Sequence, residues 1–258
     1  MSAPLIVENG PISRSLHQEQ TVNREIVDAS TIFGFWPKRK ADTALDTLLR
    51  LMEENDISRA CTISARGIFY DFLEGNRETW AAAAAHPQLI PVGTVNPCRW
   101  IGCLDEAQRL IDQGSKLLRF FPQYQEWHIG QAPFRKLLRD VLAPSGVALM
   151  IPAVMGVTAI GEMAAKISNP VIIDAMRYTH WAEAAVVMQD VPNVFVEIHL
   201  GSWLEWIKAE VGAERVVFGS NAPLSYIPAS TAQIEYASVS EEDKALVYGG
   251  NLRRILGV

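Results

Sequence analysis

Apolar residues along the chain fall into short runs with two alternating rhythms. The runs at 24–31, 60–65, 89–95, 116–121, 147–151, 171–176, 194–200 and 215–219 are brief and rich in β-branched residues, and they read as strands. The segments at 43–55, 79–86, 104–112, 132–142, 160–167, 181–189, 203–211 and 241–256 carry apolar residues at helical spacing. Pro97, Pro122 and the Pro144-Ser145-Gly146 run punctuate these elements where a strand or helix must stop. Strand and helix alternate through eight units with nothing left over. That order predicts a single-domain α/β fold, a (βα)8 TIM barrel over 24–258. A doubly wound open sheet is the alternative, but neither GxGxxG nor GxxxxGK[ST] follows the first strand. The first segment, 1–23, has no clear periodicity and reads as an arm, which would suit a homo-oligomer.

Composition narrows the function classes. The chain has 258 residues, 49% hydrophobic and 20% charged, which suits a folded chain with a sizeable core. A net charge of -6 gives no footprint for nucleic acid. The basic run Pro37-Lys38-Arg39-Lys40 is short enough to be a solvated loop. No apolar run approaches the ~18 residues of a membrane span, and the N-terminal segment is too polar for a secretory signal. Cys61, Cys98 and Cys103 form no CxxC pair, so reduced thiols and a cytoplasmic location are expected.

Five stretches carry a family resemblance. They are Asp28-Ala29-Ser30-Thr31-Ile32-Phe33-Gly34 on the first strand, Leu118-Arg119-Phe120-Phe121-Pro122 on the fourth, and Pro192-Asn193 entering Val194-Phe195-Val196-Glu197 on the seventh. Phe218-Gly219-Ser220-Asn221-Ala222-Pro223 follows on the eighth, and Gly249-Gly250-Asn251-Leu252-Arg253-Arg254-Ile255-Leu256 closes the chain. In order and spacing the chain resembles the amidohydrolase superfamily, in its amidohydrolase-2 branch of decarboxylases, lactonases and related hydrolases. The resemblance implies a metal site at the barrel mouth, and every ligand slot it implies is altered. The paired histidines of the first strand fall on Ser30 and Ile32. The histidines of the fifth and sixth strands fall on Pro152 and near Ala175, and the aspartate of the eighth falls on Asn221. Side chains such as Ile32, Pro152 and Ala175 offer no donor to zinc, so neither a metal nor any other cofactor is expected.

Chemistry is therefore sought at the carboxyl ends of the strands. Glu197 and His199 are two apart on one strand and share a face. They are the candidate catalytic pair, with a satisfied buried polar pair as the alternative. Arg119 stands where the resemblance implies a lysine. It is a candidate carboxylate binder through its planar fork, or else the partner of Glu197 or Asp28 in an internal ion pair. Asn221, Ser30, His128 and Tyr124 are further candidate substrate-binding residues. His180 would complete a relocated two-histidine, one-glutamate metal site, or else cap a helix. Two functions remain open. One is a metal-independent hydrolase of the lactone or ester type, or a lyase, acting on a small carboxylated substrate. The other is a catalytically silent homologue that binds a small molecule or regulates a partner. Convergence of Glu197, His199 and Arg119 in an open pocket would favour the enzyme, and a mouth plugged by Phe33, Trp36 or Phe121 the silent homologue.

Overall fold

The computed structural model describes residues 25–199 and 201–258. The expected arm at 1–23 lies outside the described residues, as do the outer ends of the runs at 24–31 and 194–200.

Eight parallel strands follow the expected order: β1 (Ile26–Phe33), β2 (Ile57–Ser64), β3 (Leu89–Pro91), β4 (Leu117–Arg119), β5 (Ala148–Pro152), β6 (Val171–Asp174), β7 (Val194–Ile198) and β8 (Val216–Phe218). Regular ladders join β1 to β3 and β4 to β8. Two single bridges close the ring, Gly93 beside Leu118 and Thr31 beside Ala222. At these seams Arg119 N donates to Gly93 O at 2.9 Å and Ile32 N donates to Ala222 O at 2.9 Å. The result is a single (βα)8 barrel. Among the described residues no helix is long and apolar enough to cross a membrane.

Period-two alternation sorts the strand residues into two cores. Leu118, Leu149, Ile173, Val196 and Phe218 pack outward beneath the helices, against residues such as Leu110, Phe134, Ile160 and Ile207. Leu117, Met150, Ile172, Phe195 and Val217 belong to a second cluster that fills the barrel. Two residues further along the same faces stand Arg119, Asp174 and Glu197, all buried. The filled interior thus lifts these three charged groups to the carboxyl end of the barrel.

The helices depart from expectation in several places, most of all at Phe72–Ala85 and Ile227–Glu235. The helix expected at 79–86 begins earlier and spans Phe72–Ala85, because the Asp71 side chain caps it by accepting from Leu73 N at 2.8 Å and Glu74 N at 3.1 Å. Gly75 hides this first turn from a propensity reading. Its missing side chain lets the helix lie directly on the Gly67 backbone, with which a Cβ would collide. Alanine would gain about 1 kcal/mol of helix propensity here, but the collision is with main chain and cannot relax cheaply. Gly75→Ala is therefore expected to lower stability by about 1–3 kcal/mol, read by urea unfolding. An additional helix, Ile227–Glu235, lies in a stretch with no clear apolar rhythm, after a proline at its start.

Candidate active site

The mouth of the barrel holds a pocket of about 80 Å³ with apolar walls and a charged floor. Ile32, Trp36, Phe121 and Leu224 give the walls, and Arg119, Asp174, Glu197, His199 and Asn221 give the floor. A larger cavity of about 600 Å³ lies beside it, between Phe35, Arg66, Tyr70 and Glu78. The inward ends of β4, β6 and β7 do not reach that cavity, and its Glu78 already pairs with Arg66 at 3.1 Å.

Glu197 is the hub. Its Oε1 accepts the Ser30 hydroxyl at 2.7 Å, and its Oε2 accepts Ala175 N–H at 3.3 Å. His199 Nδ1 stands 3.8 Å from Oε2, too far for a hydrogen bond and close enough for electrostatic coupling. Asn221 N–H donates to Ser30 Oγ at 3.4 Å, so strands β1, β7 and β8 meet through one hydroxyl. Ala175 and Asn221 both have positive φ, 53° and 54°. A left-handed alanine is uncommon and mildly strained, and here it aims a backbone donor at Glu197. Gly219 makes the approach of Glu197 possible, because a Cβ there would collide with Oε1.

Arg119 donates from Nε and Nη2 to Asp174 Oδ2 at 2.9 and 2.6 Å, and its guanidinium lies 5.1 Å from the centre of the Phe121 ring. This corrects the partner expected for an internal ion pair: it is Asp174, and not Glu197 or Asp28. The register sets this pairing, since Arg119 sits beside Met150, and Pro152, two residues on, sits beside Asp174. Burial pushes the Asp174 carboxyl up, against the pull of Arg119.

Asp28 lies fully buried below Ser30. Its Oδ1 accepts Ser30 N–H at 2.9 Å and Ser220 N–H at 3.0 Å, while Oδ2 has no partner. Burial pushes its pKa up to about 7 from the usual 3.8, with the Glu197 charge adding to the rise. The consequence for stability has a definite sign. Below about pH 4 the group is protonated both folded and unfolded. Between about 4 and 7 only the unfolded chain releases the proton, so stability falls as pH rises, by up to roughly 4 kcal/mol, and levels above 7. The Asp28→Asn variant keeps this group neutral and is expected to lack that part of the pH slope in urea titrations at pH 5, 6, 7 and 8.

Of the residues singled out in the sequence, Glu197, His199, Arg119, Asn221 and Tyr124 line this one pocket, and Ser30 bonds Glu197 from below. His128 is exposed and lies outside the lining set. His180 is also outside it: its Nδ1 accepts Arg177 N–H at 3.1 Å within its own turn. The arrangement of His180, His199 and Glu197 around a relocated metal is not formed. Among the described residues no group of three or more His, Cys, Asp or Glu side chains stands where it could hold a metal ion. Asp174 is not among the residues expected at the site, and Trp36 is expected there only as a plug. Asp174 was legible as a lone charge ending the apolar run Val171-Ile172-Ile173. Trp36 carried a weaker signal, being one of several aromatics after a strand.

Fold and site define a (βα)8 barrel protein with a charged, half-apolar site at the mouth. The amidohydrolase family model Amidohydro_2 matches residues 72–258, and the chain belongs to that family. No curated protein matches the sequence. Several solved structures share the fold. The 5-carboxyvanillate decarboxylase from Sphingomonas paucimobilis superposes with a TM-score of 0.70 at 16% identity, covering 91% of this chain and 99% of its own. An uncharacterised TIM-barrel protein from Bordetella bronchiseptica gives 0.74 at 14% identity, covering 90% and 98%. A probable 2-pyrone-4,6-dicarboxylic acid hydrolase from Acinetobacter baumannii gives 0.69 at 13% identity, covering 91% and 100%.

Proposed function

We propose that this chain is a metal-independent hydrolase of the lactone or ester type, acting on a small carboxylated substrate at the barrel mouth. The observation that carries this is the convergence of Glu197, His199, Arg119 and Asn221 in one pocket. His199 acts as general base: it takes a proton from water as the oxygen attacks the carbonyl carbon, and returns it to the leaving oxygen. Glu197, fixed by Ser30 and Ala175, holds the charged imidazolium that forms between these steps. Arg119 uses Nε and Nη2 on Asp174, leaving Nη1 outside that pair as the donor for a substrate carboxylate. The Asn221 side-chain amide serves the developing oxyanion.

The site residues do not fit a divalent ion. Such an ion needs three or four converging N, O or S donors. Ile32 and Ala175 line the pocket and have no side-chain donor to give, Asp174 is held by Arg119, and a guanidinium already brings positive charge to the floor. The silent-homologue alternative draws support from the pocket's small volume and from Trp36 and Phe121 among its walls.

The test is turnover of a lactone and ester panel by untagged protein in excess chelator, with metal content measured by mass spectrometry. Hydrolysis with no bound metal is expected. About one zinc or manganese per chain, with activity lost to the chelator, would overturn metal independence. A folded, metal-free protein that turns over no member of the panel would favour the silent homologue.

A further inference from the structure

We propose that the Trp36 indole sets the size of group the mouth accepts, and that the accepted class is short and aliphatic rather than aromatic. This rests on the pocket being a substrate site for carboxylated compounds, and it narrows which ones. The pocket measures about 80 Å³. An apolar cavity of about 150 Å³ takes one benzene, and a water-sized group needs about 15 Å³. By the benzene measure the mouth buries about three non-hydrogen atoms, the size of a carboxylate, and has no room for a six-membered aromatic ring. The decarboxylase with the same fold is named for 5-carboxyvanillate, a benzene-ring substrate.

Trp36 is the wall residue placed to set that limit. It has the largest side chain of the lining set and is only 7% exposed. Its loop leaves β1 at Gly34, where φ is 90°. Its ring meets Phe69 edge-on at 4.8 Å and Tyr124 edge-on at 5.5 Å, and Phe69 and Tyr124 lie 5.2 Å apart. The loop after β1 and the short helices Ala65–Phe69 after β2 and Pro122–Gln125 after β4 thus each supply one aromatic ring to a common roof, and Trp36 and Tyr124 form its pocket side. Ile32 and Phe121 are held differently: Ile32 is within a strand, and Phe121 follows β4 directly and packs against Arg119. The Trp36 loop is closed at its base by Gly34 N–H donating to Thr43 O at 2.7 Å and Thr43 Oγ1 donating to Gly34 O at 2.5 Å. Neither bond involves the indole, so shortening Trp36 opens the roof without opening the base.

The experiment is an NMR titration of the His199 ring signals with acetate, benzoate and phenol, in wild type and Trp36→Ala. Acetate is expected to shift His199 in both proteins. Benzoate and phenol are expected to bind Trp36→Ala at least about tenfold more tightly than wild type. Equal binding of benzoate by the two proteins would overturn the proposal. Phenol is uncharged and reports size alone. If phenol enters only Trp36→Ala while acetate and benzoate bind neither protein, the size limit stands and the carboxylate anchor of the proposed function falls. Should Trp36→Ala fail to fold, Tyr124→Ala opens the same roof from its other side and is expected to admit phenol. If the folded variants admit neither ring, Trp36 is not the limit and the inference fails.

Discussion

Arg119→Met is expected to lower folding stability by about 3–5 kcal/mol. The loss comes less from the vanished attraction than from what remains: Asp174 would stand in the barrel with both oxygens unpartnered, since Oδ2 is bonded only by Arg119 and Oδ1 already has no partner. A buried pair in water-poor surroundings owes much of its apparent strength to this asymmetry, because each half alone is worse than neither. The double variant Arg119→Met/Asp174→Leu is therefore expected to recover most of the loss in urea unfolding, although it removes two charged residues. If the single and double variants are equally destabilised, the guanidinium contributes mainly through its stacking on Phe121 and not through Asp174. Either variant should bind acetate more weakly, because both remove Nη1.

Glu197→Gln and His199→Ala are each expected to lower kcat on the best panel substrate by about 10²–10⁴-fold, with smaller changes in KM. Glutamine keeps one oxygen, which can accept from Ala175 N–H, while its amide NH2 can donate to the Ser30 hydroxyl oxygen, so both contacts survive with the Ser30 bond reversed and the charge lost. If the two side chains act as one proton-handling unit, the double variant should be little worse than the poorer single one. Fully additive losses would mean that they act on separate steps. Loss of activity in Glu197→Gln with His199→Ala unaffected would move the base from the imidazole to the carboxylate.

The eight strand-and-helix units were legible because each strand is a short apolar run bounded by breakers, and parallel strands buried on both faces read that way. Glu197 and His199 were legible because two-residue spacing on a strand fixes a shared side. Arg119 was legible as inward-facing, but its partner was not, since Asp174 meets it across β5, a relation set by stagger and not by spacing along the chain. The roof of Trp36, Phe69 and Tyr124 was not legible as a unit at all. Its members come from one loop and two helices of four or five residues, too short to leave a period in a sequence. The helix Phe72–Ala85 was half-hidden by Gly75, a residue poor for helices in isolation and required there by its neighbour.

The two seams of the barrel bear on the site in another way. Between β8 and β1 the backbone offers one bridge, and side chains supply further ties. Asp28 on β1 accepts from Ser220, beyond the end of β8, and Ser30 on β1 donates to Glu197 on β7. Glu197, proposed for the chemistry, is thus also part of the fastening of the cylinder, bonded near where its staves are least joined by main chain. The geometry of the candidate site and the closure of the fold share hydrogen bonds. A change of charge at the mouth, from a bound anion or a shifted proton, acts at the same time on how tightly the first and last staves are held together.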